Sequence, residues 1–119
     1  MNDRRKLAEQ KGRRAETIAA WWMRLQGYRI IAKRVRNPRG EIDLIARRGR
    51  TTAFIEVKAR SKASDLEQSI DAHKMRRVVA AAQAEAHKYV PDGHDIRFDA
   101  ILIAPLKWPL HLKNIWHDM

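Results

Sequence analysis

The chain has no cysteine, which excludes disulfides, thiolate zinc sites and a cysteine nucleophile, and fits a reducing compartment. No apolar run approaches the roughly 18 to 20 residues that span a bilayer. The opening MNDRRKLAEQKGRRAE has no apolar core after its charges, as a signal peptide requires. A cytoplasmic protein without a membrane role is expected. His73, His87, His94, His111 and His117 fall in no metal-ligand spacing and read as surface or capping residues. No repeat, low-complexity segment or linker interrupts the 119 residues, a length suited to one core, so residues 1–119 are read as a single domain.

Acidic residues are also scarce. Against 25 Lys and Arg stand 14 Asp and Glu, a net charge of +11. The imbalance is local: residues 1–77 carry +12, whereas residues 78–119 carry −1. A basic surface of this kind predicts attraction to a polyanion, with nucleic acid ahead of an anionic membrane. A merely soluble, well-charged surface is the bland alternative.

Residues 4–26 repeat apolar side chains at the helical period, through Ala8, Ala15, Ile18, Ala19, Trp22 and Leu25, and Gly27 supplies a stop. YRIIAKRVR at 28–36 is rich in β-branched residues and closes at the turn signal Asn37-Pro38-Arg39-Gly40. Strands at 41–47 and 51–59 follow. Ser64 and Glu67 match a capping box, and a helical stripe then runs to Tyr89, as one helix or as two divided near residues 69–72. IRFDAILIA at 96–104 reads as a buried strand, joined to the third by a right-handed crossover and so parallel to it. LHLKNIWHDM is a weak last strand.

The chemistry sits in GEIDLIARRGRTTAFIEVKAR, residues 40–60. Strand alternation groups Glu56 with Lys58, and Asp43 with Ile45. With Gly49-Arg50 as a two-residue turn, Arg48 faces Thr51, Ile45 faces Phe54 and Asp43 faces Glu56. Directly opposed carboxylates destabilise a sheet unless something compensates them. A magnesium or manganese ion is one candidate, since hard oxygen ligands suit it and it leaves positions for water and a substrate phosphate. Such a site cleaves phosphodiesters by activating water and neutralising charge on the phosphate. An ion pair of Lys58 with one carboxylate is the alternative. The apolar company of Ile45 and Phe54, and the cations Arg47, Arg48, Arg50, Arg60 and Lys62 on either side, favour the metal-and-phosphate reading.

Asp43, twelve residues and Glu56-Val57-Lys58 resemble the D…(D/E)-x-K signature of the PD-(D/E)XK nuclease superfamily. RRAETIAAWWMRLQGYRI, RNPRGEIDLIARRGRTTAFIEVKAR, HKMRRVVAAAQ and RFDAILI resemble the bacterial YraN-like family (UPF0102-type proteins) over nearly the whole chain. This resemblance implies an α/β, restriction-endonuclease-like mixed sheet flanked by helices, with an α-β-β-β-α-β core. It also implies that Asp43, Glu56 and the Val57 carbonyl hold Mg²⁺ or Mn²⁺, and that Lys58 acts on water or stabilises the transition state. We favour stabilisation, because neighbouring carboxylates raise a lysine already near ~10.4 unless a metal cancels them. Glu16, where many members add a carboxylate, follows Ala15 rather than the common Gly. Ile42 stands where the signature has Pro, which members often lack.

Lys74 and Arg77, with Arg76, are candidates for a phosphate backbone or for a solvated helix face. Gln68 is not assigned a role. Trp22 reads as core, Trp21 or Trp108 as the exposed aromatic, and Asp99 as the partner of a neighbouring cation. The expected function is a metal-dependent endonuclease on DNA, including branched or damaged structures. The alternative is a non-catalytic nucleic-acid-binding module, for DNA or RNA, on the same fold. Resolvase relatives act as dimers, which makes a homodimer an expectation, although no segment marks its interface.

Overall fold

A computed structural model describes residues 3–60 and 72–116. In order these form helix α1 (Asp3–Leu25), strands β1 (Arg29–Asn37), β2 (Gly40–Arg48) and β3 (Thr51–Ala59), helix α2 (Ala72–Tyr89), and strands β4 (Asp95–Ile103) and β5 (Leu110–Leu112). The five strands make one sheet in sequence order. β3 and β4 run parallel, as their helical crossover requires, and the other pairings are antiparallel. The mixed sheet flanked by helices is the expected architecture. The capping box at Ser64 to Glu67, residues 69–71 of the stretch where one helix could divide into two, and Lys62, Gln68 and His117 lie outside the described residues, and α2 begins at Ala72.

Each sheet face carries one helix over a large apolar cluster, and Leu102 and Ala104 form a third, small one with Leu112. Ala19, Ala20 and Met23 of α1 pack on Leu44, Ile55 and Ile101 of the sheet; Met75, Val78, Ala81 and Ala82 of α2 pack on Ile45 and Phe54 of the other face. The buried side of α1 differs from the expected stripe. Ala15, Ala19, Ala20 and Met23 are buried, whereas Ile18 is 46% and Leu25 77% exposed, and Trp22 is half-buried. Small alanines let the helix lie close to the sheet, turning the larger Ile18 and Leu25 outward. Tyr28 N–H reaches Met23 O and Gly27 N–H reaches Arg24 O, both at 3.0 Å. With Gly27 at φ 91°, these bonds complete a Schellman stop that turns the chain into β1.

Gly49 at φ 60° closes the β2–β3 hairpin, with Arg48 opposite Thr51 as expected. At the other end of β2, Gly40 fits where no side chain would: an added Cβ would lie 2.4 Å from the Arg77 carbonyl oxygen. This close approach sets the first turns of α2 against the start of β2. No helix among the described residues is long and apolar enough to cross a membrane.

Candidate metal and nucleic-acid site

β2 leaves its regular pleat at Asp43. Leu44 and Ala46 pack under α1 and Ile45 under α2; alternation would return Ile42 to the α1 side, yet Ile42 packs with Ile45 under α2. The β1 register, Lys33 with Leu44 and Val35 with Ile42, puts Arg34 across from Asp43. Arg34 has a left-handed φ of 52°, a conformation that L-residues other than Gly adopt at a cost. This is a slip of the pleat and not of the pairing, since the β1–β2 register holds from Ala32 to Asn37 and shifts only between Ile30 and Ala32.

That slip corrects the expected pairing. Ile45 does face Phe54, but the β2–β3 ladder ends at Leu44 with Ile55, and Asp43 is not paired with Glu56. Asp43 Oδ2 instead accepts the Val57 N–H at 2.8 Å, a backbone donor beyond the end of the ladder. Glu56 and Lys58 point to the α2 side and are both buried, with Lys58 Nζ 3.2 Å from Glu56 Oε1. The ion pair weighed in the sequence is thus present for Glu56, while Asp43 stands apart from it.

Asp43, Glu56 and Lys58 open on one cleft of ≈ 190 Å³, which Lys74 and Arg77 enter from α2 and Glu16 from α1. Burial pushes the Asp43 carboxyl up to about 6; the Val57 N–H opposes this, and Glu16, Glu41 and Glu56 add to it. Lys58 moves opposite to expectation. Burial and the adjacent Lys74 lower its pKa, against the pull of Glu56. Glu16 Oε1 accepts from Arg34 Nε at 2.6 Å, so this carboxylate lines the cleft but is held by a cation of β1. Among the described residues no three His, Asp or Glu side chains converge on one point. Asp43 and Glu56 are nonetheless hard oxygen donors, and one or two carboxylates suffice for Mg²⁺ when water and phosphate complete its shell.

The cations of the hairpin do not reach this cleft. Arg47, Arg48 and Arg50 cluster at the β2–β3 turn, about 16 Å along β2 from Asp43 at a strand's rise per residue. Arg47 donates to the Tyr89 carbonyl and, at 3.1 Å, to Thr52 Oγ1. Arg48 donates to Gln26 O at 2.8 Å and lies 4.4 Å over the Tyr28 ring. Arg50 donates to Gly93 O at 3.0 Å. Arg47 and Arg48 thereby hold carbonyls at the C-terminal ends of α2 and α1, where a cation is favoured. Arg60, whose Nη1 donates to Ala59 O at 2.9 Å, stays beside the cleft.

Asp99 carries more than the single cation expected of it. Fully buried, it accepts from Arg97, from the Asn114 N–H at 2.9 Å and shares a 2.8 Å bond with His111; Arg97 also reaches Tyr28 Oη at 2.6 Å. Burial would raise this carboxyl, but the bonds from His111, Arg97 and Asn114 together hold it below its ordinary range. His111, read as a surface residue, is in fact buried here, its side chain 5% exposed. A lone Asp within the apolar run IRFDAILI was a signal of such a network, since a buried carboxylate needs several donors.

By class, this is a nuclease-like fold. The structure of Archaeoglobus fulgidus Hjc, a Holliday junction resolvase from an archaeal hyperthermophile, matches with a TM-score of 0.58 over 84% of this chain and 73% of that one. At 21% identity the likeness is one of fold. The sequence profile of the Uncharacterised protein family UPF0102 matches residues 15–103. A UPF0102 protein of Rhizorhabdus wittichii is 51% identical, covering 97% of this chain and 98% of that protein. Another, from Sphingopyxis alaskensis, is 54% identical over 94% and 97% respectively. The chain belongs to the UPF0102 family, as its motifs implied.

Proposed function

We propose that this protein is a divalent-metal-dependent endonuclease that hydrolyses phosphodiester bonds in DNA, branched or damaged structures included, in the cytoplasm. The observation that carries the reading is the contrast within the cleft. Among the described residues, Asp43 is a half-buried carboxylate beside other carboxylates, with one main-chain donor, where Glu56 has a lysine. A fold retains a disfavoured charge of this kind most readily where a ligand relieves it.

In this reading Asp43 and Glu56, with the Val57 carbonyl, hold Mg²⁺ or Mn²⁺. The ion supplies a Lewis acid that activates water and neutralises charge developing on the phosphate. The Val57 N–H fixes the rotamer of Asp43 in advance. Lys58, held by Glu56, presents its ammonium to the phosphate as an electrostatic partner, and Lys74 and Arg77 bind the flanking backbone. Glu16, tied to Arg34, tunes the field at Asp43 and joins the site if Arg34 turns to a phosphate.

Calorimetric titration with Mg²⁺ and Mn²⁺, of the wild type and of Asp43→Asn with Glu56→Gln, tests the site. Loss of binding in the double variant supports it; no binding by the wild type even with four-way or flapped DNA present refutes it. Glu56→Ala should then abolish cleavage while leaving DNA binding. The Glu56–Lys58 ion pair, complete without a metal, favours a second reading as a non-cutting nucleic-acid module. That reading requires steep salt dependence of binding and indifference to divalent ions.

A further inference from the structure

A second groove of ≈ 1120 Å³ leaves the cleft between α1 and the segment after β4. It shares Val57, Lys58 and Lys74 with the cleft, so the two are continuous. Their linings differ in charge. The cleft mixes cations with Glu16, Glu41, Asp43 and Glu56; the groove presents Arg14, Lys58, Arg60, Lys74 and Lys107, and no described carboxylate lines it.

The groove is also apolar, through Ile18, Val57, Ile103 and Leu106. Leu106 is fully exposed at a left-handed φ of 59°, so the backbone holds an apolar side chain in solvent at the rim in a conformation that leucine resists. Beyond Ile18 the next turn of α1 carries Trp22, and Trp108 lies against it with ring centroids 5.7 Å apart while remaining largely exposed. The outward-facing Ile18, unexplained by the core, belongs to this strip.

Cations beside apolar and aromatic side chains match a single strand better than a duplex. A duplex offers phosphates and stacked, inaccessible bases, whereas unpaired bases add faces for apolar contact. We propose that this groove seats a short run of unpaired nucleotides next to the phosphate in the cleft, so that the preferred substrate carries a single-stranded stretch flanking the cleaved bond. The proposal rests on the reading of the cleft as a phosphate site.

The test is fluorescence anisotropy in EDTA, so that cleavage plays no part, with a labelled oligothymidylate of about 15 nucleotides and a blunt duplex of two complementary strands. Leu106→Gly removes the side chain and suits the left-handed backbone, so it should fold; Trp108→Ala is the second variant. Each should weaken oligothymidylate binding by roughly 10-fold and leave duplex binding within about 2-fold. Unchanged oligothymidylate affinity, or an equal loss on both probes, overturns the proposal. So does a wild-type dimer, by sedimentation, that Leu106→Gly dissociates with DNA affinity intact, since the strip would then belong to a second copy of the chain. Selective binding without cleavage of any substrate would refute the endonuclease and keep the groove; cleavage indifferent to single-stranded character would do the reverse.

Discussion

Replacing Asp43 by Asn should stabilise the metal-free protein. The wild-type carboxyl is raised from 3.8 to about 6, chiefly by burial, so the folded state disfavours the carboxylate that neutral pH imposes. At about 1.4 kcal/mol per pH unit between the two values, the penalty approaches ~3 kcal/mol at pH 7. Asn removes the charge and keeps an oxygen for the Val57 N–H. The penalty is fully present above pH 6 and disappears as pH falls through 6 towards 3.8. The advantage of Asp43→Asn should therefore shrink to about half at pH 5 and largely vanish by pH 4.

Urea denaturation at pH 7, 5 and 4 measures these differences, and thermal melts at pH 7 should show a gain of roughly 10 °C. Saturating Mg²⁺ should raise wild-type stability and leave the variant unmoved, closing the gap. An Asp43→Asn protein less stable than wild type at pH 7, or a difference independent of pH, would refute the reasoning, because Asp43 would then be a structural anchor.

Asp99→Asn should act oppositely, losing about 3 to 5 kcal/mol at neutral pH because it leaves the half-buried Arg97 and the His111 ring without their partner. The Asp99 carboxyl is held low, so its contribution is present above about pH 4 and is lost as pH falls through the folded value; urea titrations on both sides of pH 4 follow it. Gly40→Ala should lose about 1 to 3 kcal/mol, since its Cβ meets the Arg77 carbonyl rather than a flexible side chain. As α2 shifts to make room, Lys74 and Arg77 leave the cleft, and DNA affinity measured by anisotropy should fall with stability.

The element order, the hairpin register at Gly49-Arg50 and the parallel β3–β4 pairing were legible because they follow from local rules: period, turn chemistry and the handedness of a crossover. The grouping of Glu56 with Lys58 was legible for the same reason. The position of Asp43 was not. Alternation assumes an unbroken pleat, and nothing in IAKRVRN or GEIDLIA announces a left-handed residue at Arg34 or the slip across from it. The hairpin arginines were misplaced for a related reason. Nearness in sequence to Asp43 suggested nearness in space, but a strand carries residues apart at about 3.3 Å each. Arginines at a turn meet the helix ends that converge there.

The sheet holds two aspartates that burial affects alike and their neighbours affect differently. Asp99 has Arg97, His111 and the Asn114 N–H, and its charge is favoured. Among the described residues Asp43 has one N–H, and nearby carboxylates disfavour its charge. A satisfied buried carboxylate holds its surroundings together, and selection for stability alone would keep it. An under-satisfied one detracts from stability, so selection for stability alone would replace it with asparagine, which costs a protein nothing in bulk. On this argument the proposed metal would relieve the charge that burial and neighbouring carboxylates disfavour at Asp43. The same logic extends to Leu106: an exposed apolar side chain on strained backbone adds nothing to the isolated fold, and the proposed single strand would cover it together with the exposed Ile18.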